Sequence, residues 1–270
     1  MIKNPFIGVK ILVLTVLCCF HFTVLAIEEL NLTDARSFAL GNLHALSHES
    51  VNPAALSFSD QLLGASVLNQ FEMKELNTSN LWLKYPNRYL DAGITFSHFG
   101  YEDYRIVQMQ AGFAKKIIPE LSLGINLLYF RKSSFWEENA ANRLSSCIGI
   151  VYQSSKTVEF SFLAENILHN FPYRLWKLYG GMDYRVLENC SLLLESGYNA
   201  NKQFDFSLGI EYELLDKIWI RAGTQIILKM PSFGVGYKWK NWTVDAGFSL
   251  HPVLGTSSMI AVTYLLKTTH

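Results

Sequence analysis

Charge is scarce in this sequence. Asp, Glu, Lys and Arg make up 17% of 270 residues, against roughly 25% in an ordinary soluble domain. The two signs balance at 23 each, so the positive excess that draws a protein to nucleic acid is missing. Beyond residue 26 no apolar run is long enough for a spanning helix, which needs about 20 residues. The seven His and four Cys are scattered without metal-ligand spacing. No metal or other cofactor is expected. Apolar and aromatic residues are abundant instead, at 50% and 14%, which excludes disorder and implies a surface that tolerates an apolar solvent.

The first 26 residues stand apart. Lys3 and Lys10 precede the apolar run Ile11 to Ala26, which ends in the small-residue exit Val24-Leu25-Ala26 before acidic Glu28 and Glu29. This is the pattern of a cleaved secretory signal. The remaining cysteines, Cys147 and Cys190, are expected at different heights of the fold and therefore as free thiols.

From about residue 60 onward the chain alternates with period two. Leu90, Ala92, Ile94 and Phe96 share one face against Asp91, Gly93, Thr95 and Ser97. Trp242, Val244, Ala246 and Phe248 oppose Thr243, Asp245, Gly247 and Ser249. Alternation of this kind predicts pleated strands. Segments near 61–71, 79–86, 89–99, 104–116, 121–132, 142–154, 157–167, 176–187, 190–199, 203–214, 218–228, 232–240, 242–251 and 257–267 bring the expected number to about fourteen.

Connection lengths alternate as well, with tight turns such as Leu215-Asp216-Lys217 and Lys240-Asn241 at one end and longer loops at the other. That is the plan of an up-and-down outer-membrane barrel with short periplasmic turns. The polar face is Gly, Ser, Thr, Asn and Gln with scattered charges, where a soluble barrel would show dense Lys and Glu. An apolar face turned to lipid, with Tyr and Trp near segment ends as interfacial girdles, accounts for the composition. The fold class is all-β: an antiparallel transmembrane barrel of about fourteen strands in the outer membrane, with lipid as its surrounding partner.

Residues 27–59 lack strand alternation. Asn52-Pro53-Ala54 has the form of a short helix start, Asn capping and Pro just after it. A fourteen-stranded barrel is wide enough to need filling. The segment fits either a periplasmic tail or a luminal plug.

The run Ala35-Arg36-Ser37-Phe38-Ala39-Leu40-Gly41 followed by Asn52-Pro53-Ala54-Ala55-Leu56 resembles the opening of FadL-like outer-membrane proteins, the long-chain fatty-acid transporter superfamily. Later pieces in the same order, Ala164-Glu165-Asn166-Ile167, Gly209-Ile210-Glu211-Tyr212 and Phe233-Gly234-Val235-Gly236, extend the resemblance over nearly the whole chain after residue 26, closest to the small PorV/PorQ-like branch. The resemblance implies a fourteen-stranded barrel, an N-terminal hatch at about 27–59, and either passage of a small hydrophobic molecule or docking of a periplasmic or secretion partner. Asn42 stands where the family pattern usually continues with glycine. The loops are also short for an elaborate external ligand groove.

Candidate hatch residues are Arg36, Asn52, Pro53 and Ala54. Asp91, Glu165, Asp183, Arg185, Glu211, Arg221 and Asp245 lie on the polar parity of their strands and form a candidate luminal network. Arg36 is expected to pair with one of these carboxylates and lock the hatch. Catalysis is not expected: His98, His169 and His251 fall near the outer rim beside Ser97 and Ser249, but no spacing resembles a catalytic elbow, and neighbours on a strand face opposite sides. Transport predicts an apolar pocket reaching a gap in the wall made by a kinked strand, whereas docking predicts a filled lumen.

Overall fold

The computed structural model describes residues 33–47, 51–135, 141–168 and 176–267. The expected signal, residues 1–26, lies outside them, as do residues 27–32 and 48–50 of the expected hatch and His169. Among the described residues the chain forms α1 (Ala35–Ala39), a 3₁₀ turn (Pro53–Phe58) and fourteen strands: β1 (Gln61–Asn69), β2 (Asn77–Tyr85), β3 (Asp91–Gly100), β4 (Tyr104–Ile118), β5 (Leu121–Ser134), β6 (Ala141–Gln153), β7 (Val158–Glu165), β8 (Lys177–Leu187), β9 (Cys190–Asn199), β10 (Phe204–Leu215), β11 (Ile218–Gln225), β12 (Met230–Trp239), β13 (Trp242–His251) and β14 (Gly255–Lys267). Each strand pairs antiparallel with its sequence neighbours, and β1 closes on β14 through pairs such as Val67 with Ile260.

The period-two pattern becomes an inside and an outside. On β2, Leu81 is 51% exposed while the next residue, Trp82, is 2% exposed. On β3, Ile94 is 58% exposed and Thr95 8%. An exterior this apolar is stable only against hydrocarbon, since contiguous apolar surface on that scale is not left facing water. Tyr85, Tyr152, Tyr212, Tyr237, Trp239 and Trp242 are all exposed close to the tight-turn end, where an aromatic girdle meets the headgroups.

The connections 119–120, 188–189, 216–217 and 240–241 take two residues each, while 166–176 spans the long end between β7 and β8. The tight end is therefore periplasmic by the usual asymmetry of such barrels. Lys217 and Lys240 adopt positive φ in two of these turns.

Ladder irregularities gather at the same end, between Lys116 and Ile118, Arg185 and Leu187, Glu213 and Leu215, and Gln61 and Leu62. The kinked strand and wall gap expected of a transporter do not occur in β2, β3 or β4, whose mutual registers are unbroken. A continuous hydrogen-bonded register leaves no backbone group unpaired towards lipid, which is why it persists. The wall is less regular beside β6, whose ladder with β7 runs only from Ile148–Ala164 to Gln153–Glu159.

Residues 33–47 and 51–58 lie inside the barrel. Helix α1 packs against β11 to β14 and the 3₁₀ turn against β3 to β6. Asp34 caps α1, accepting from the Ser37 backbone N–H at 2.7 Å, and also accepts from Ser47 Oγ at 2.6 Å. Asn52 caps the 3₁₀ turn, accepting from the Ala54 N–H at 3.1 Å.

Glycines on the inner wall let the backbones meet. A Cβ at Gly223 would lie 2.2 Å from the Leu40 carbonyl carbon, and one at Gly124 would lie 2.5 Å from the Ala54 nitrogen. Gly41 (φ 93°) and Asn42 (φ 57°) both take left-handed backbone. Asn is among the few residues that tolerate that region, so Asn42 serves where the family pattern has glycine. Its side chain also accepts from Thr33 Oγ1 at 2.8 Å.

Candidate functional site

The luminal segment is held to the wall at two places with different chemistry. The α1 side is ionic. Arg36 forks onto Glu211 of β10, with Nη2 2.7 Å from Oε1 and Nε 3.0 Å from Oε2. Glu211 also accepts from Arg221 of β11 at 2.5 Å, and Arg221 continues to Asp245 of β13. Alternating charge lets each buried group face an opposite one, which is what such a network needs to survive outside water. Asp183 of β8 and Asp34 add attractive charge around Arg36.

Following the chain, the His44 ring stacks on Tyr179 of β8 at 4.4 Å and its Nδ1 lies 3.5 Å from Glu165 of β7. Glu195 of β9 takes two backbone donors, the His44 N–H at 2.8 Å and the Leu46 N–H at 3.2 Å. Burial pulls the His44 pKa down, but Glu165 and Glu195 outweigh it and raise it above the ordinary imidazole value.

The 3₁₀ side is held by neutral and single-charge hydrogen bonds. Ser57 Oγ donates to Asp91 Oδ2 at 2.6 Å, and Lys84 Nζ donates to Ser59 Oγ at 3.1 Å. Asn126 Nδ2 donates to the Val51 carbonyl at 3.0 Å, and Asn52 Nδ2 to the Ala45 carbonyl at 2.7 Å. Pro53 and Ala54 press on the inward glycines Gly149 and Gly124.

Two cavities flank this turn. A small one of about 20 Å³ lies on the luminal side, lined by Asn52, Pro53, Leu56, Trp82, Gln110 and Asn126 among others. A second of about 380 Å³ opens at the periplasmic end, lined by Ser57, Ser59, the 86–90 turn, Lys115 and Lys116. Lys116 Nζ sits 4.4 Å above the Phe58 ring at its edge. One six-residue turn separates the two.

The candidate network residues thus divide. Glu211, Arg221 and Asp245 join Arg36, and Glu165 meets His44. Asp91 serves the 3₁₀ turn instead. Arg185 stands exposed near the periplasmic end of β8, where inward parity no longer means a luminal position because the strand has passed the plugged region. Glu195 lay on the polar parity of its strand, but its role as acceptor for two backbone groups has no counterpart in sequence spacing. The rim candidates do not assemble: Ser97 is buried, while His251 Nδ1 accepts from the Val253 and Leu254 backbone at 3.2 and 3.1 Å. No disulfide joins Cys147 and Cys190.

No family model matches this sequence, and no curated protein does. Solved structures do match its fold. CymD, a monoaromatic hydrocarbon channel, superposes with a TM-score of 0.68 at 13% identity, covering 90% of this chain and 100% of that one. The toluene transporter TodX of Pseudomonas putida gives 0.62 at 12%, covering 90% and 100%. A FadL homologue of Pseudomonas aeruginosa gives 0.60 at 10%, covering 87% and 98%. The chain has the architecture of a transmembrane β-barrel of the bacterial outer membrane. Within that class its fold is FadL-like.

Proposed function

We propose that this protein is a gated outer-membrane channel for small hydrophobic molecules, exported by the signal at residues 1–26, with residues 27–59 as its hatch and residues 60–270 as its barrel. The observation that carries the reading is the pair of cavities on either side of the Pro53–Phe58 turn. A channel closed by a removable element has this form: a vestibule of about 380 Å³ on one side, a barrier held by a few hydrogen bonds, and a void of about 20 Å³, about one water's room, left against the barrier's other side. The ionic side of the segment supplies the anchor, and the 3₁₀ side, tied through Ser57, Ser59 and Val51, supplies the moving part. The hydrocarbon channels that share the fold support the choice of an apolar permeant.

In this mechanism a molecule enters from the outer mouth and moves down the lumen to the 3₁₀ turn. When Ser57 and Ser59 release Asp91 and Lys84, it passes into the periplasmic cavity. The test is uptake of radiolabelled toluene by Gram-negative cells with intact lipopolysaccharide, with and without this protein. Faster uptake that depends on the protein supports the channel. Equal uptake at matched expression overturns it and favours a docking role for the filled barrel.

A further inference from the structure

The charged side chains inside the barrel are not evenly spread. Glu165, Glu195, Glu211, Arg221 and Asp245 lie on β7 to β13, where they hold the luminal segment. On the inward parity of β14 and β1 to β4, no charged side chain among the described residues occurs between the outer loops and the level of Lys84 and Asp91. That wall carries amides and hydroxyls instead.

Three of these stand side by side. Asn80 on β2 is in register with Ser97 on β3, and Ser97 with Gln108 on β4. All three are buried. Asn80 Oδ1, Ser97 Oγ and both amide atoms of Gln108 have no hydrogen-bond partner among the described residues, nor does Trp82 Nε1 one step further down β2. Asn80 is oriented by its own Nδ2, which donates to Ser66 Oγ at 3.2 Å. Apolar residues frame the row: Leu68 and Ile106 lie buried above it, and Phe130 follows Gln108 in register.

Buried amides and hydroxyls are almost always paired, and an unpaired one calls for an occupant. We infer that this row on β2 to β4 is a binding site for an uncharged amphiphile whose hydroxyl or carboxamide head engages Gln108, Ser97 and Asn80 while its apolar body lies against Phe130, Leu68 and Ile106. The inference rests on the channel reading and narrows its substrate class. A pure hydrocarbon would leave every one of these groups unpaired. A charged head would find no counter-ion on β2 to β4 at this level, the inward charges Lys132 and Arg143 standing one and two strands further round, on β5 and β6. A hydroxyl can both donate to Gln108 Oε1 and accept from Gln108 Nε2, which matches the row.

Two fluorinated probes that differ by one hydroxyl test this. Saturable binding of 4-fluorobenzyl alcohol and of 4-fluorotoluene to the protein in nanodiscs is followed by fluorine NMR, with empty nanodiscs as reference. The wild type is expected to bind the alcohol about ten-fold more tightly, and Gln108→Leu to weaken the alcohol three- to ten-fold without weakening fluorotoluene, the range of one or two hydrogen bonds. Ser97→Ala, a smaller change, gives a second variant, and the wild-type preference itself needs no mutation. Equal or tighter binding of fluorotoluene to the wild type overturns this inference and leaves the channel standing. Absence of saturable binding of either probe overturns both.

Discussion

Ser57→Ala tests the gate at its most compact contact. The Ser57 hydroxyl donates to an ionised carboxylate, Asp91 Oδ2, at 2.6 Å. A hydrogen bond to a charged group contributes about 1.5–3 kcal/mol. Asp91 keeps the Asn87 N–H as a second donor at 3.0 Å and is partly open to solvent, so it is not stranded by the substitution. The lower end of the range applies, about 1.5 kcal/mol, and at about 1.4 kcal/mol per decade the open population of the turn rises about ten-fold. The assay is amide hydrogen exchange in nanodiscs, read at Ala55 and Ser59, whose N–H groups close the turn onto Asn52 and Leu56. Exchange there should quicken about ten-fold while strand amides of β3 and β4 keep their rates. Exchange within two-fold of wild type at both positions refutes the claim that this bond holds the gate.

Other consequences follow from the same geometry. Arg36→Ala removes a fork whose members are 20% and 15% exposed; with Glu211 still paired to Arg221, the loss should be about 2 kcal/mol, between exposed and fully buried pairs, and exchange at residues 38–43 should quicken about 30-fold. His44, with its raised pKa, faces Glu165 from β7, Glu195 from β9 and Lys177 and Tyr179 from β8. Its contribution is full below the unfolded imidazole value of about 6.5 and is lost as pH rises through the raised folded value, so the melting temperature of the luminal segment should fall over that rise in wild type and not in His44→Ala. Gly223→Val should undock α1, because a Cβ there collides with the Leu40 and Gly41 backbone; loss of protection at residues 35–41 with an intact barrel is the expected result. Leu81→Arg places a charge on the lipid face and should cost about 2–4 kcal/mol if it lies near the bilayer midplane, measurable by barrel unfolding in lipid.

The barrel was legible in the sequence because its signal is repeated. Each strand states its parity several times, so Trp242 to His251 appears at the same bounds in both readings, and the end of β9 at Asn199 likewise. Boundaries drifted where an apolar run continues past the last ladder pair, as at Ile226-Ile227-Leu228 after β11. Inside the lumen the sequence speaks once per residue. Parity placed Glu211 and Arg221 inward, and the chemistry of Arg36 called for a carboxylate, but only the closed topology chooses among the five candidate carboxylates. The neutral row of Asn80, Ser97 and Gln108 was overlooked for a related reason: amides and hydroxyls are what any polar face contains, and their lack of partners is a property of three strands in register. The wall gap was sought as a kink in one strand, whereas the roomier of the two cavities lies at the periplasmic end, below a turn of the luminal segment.

The central claim is that the Pro53–Phe58 turn must move for anything to pass. Leu56 Cδ2 lies 2.9 Å from where a Gly93 Cβ would stand, so cysteines at positions 56 and 93, in a background with Cys147→Ser and Cys190→Ser, can tie the turn to β3 reversibly. Toluene uptake by cells carrying this variant should be lost on oxidation and restored on reduction. Equal uptake in the two redox states, with the crosslink confirmed by mass spectrometry, would contradict the account.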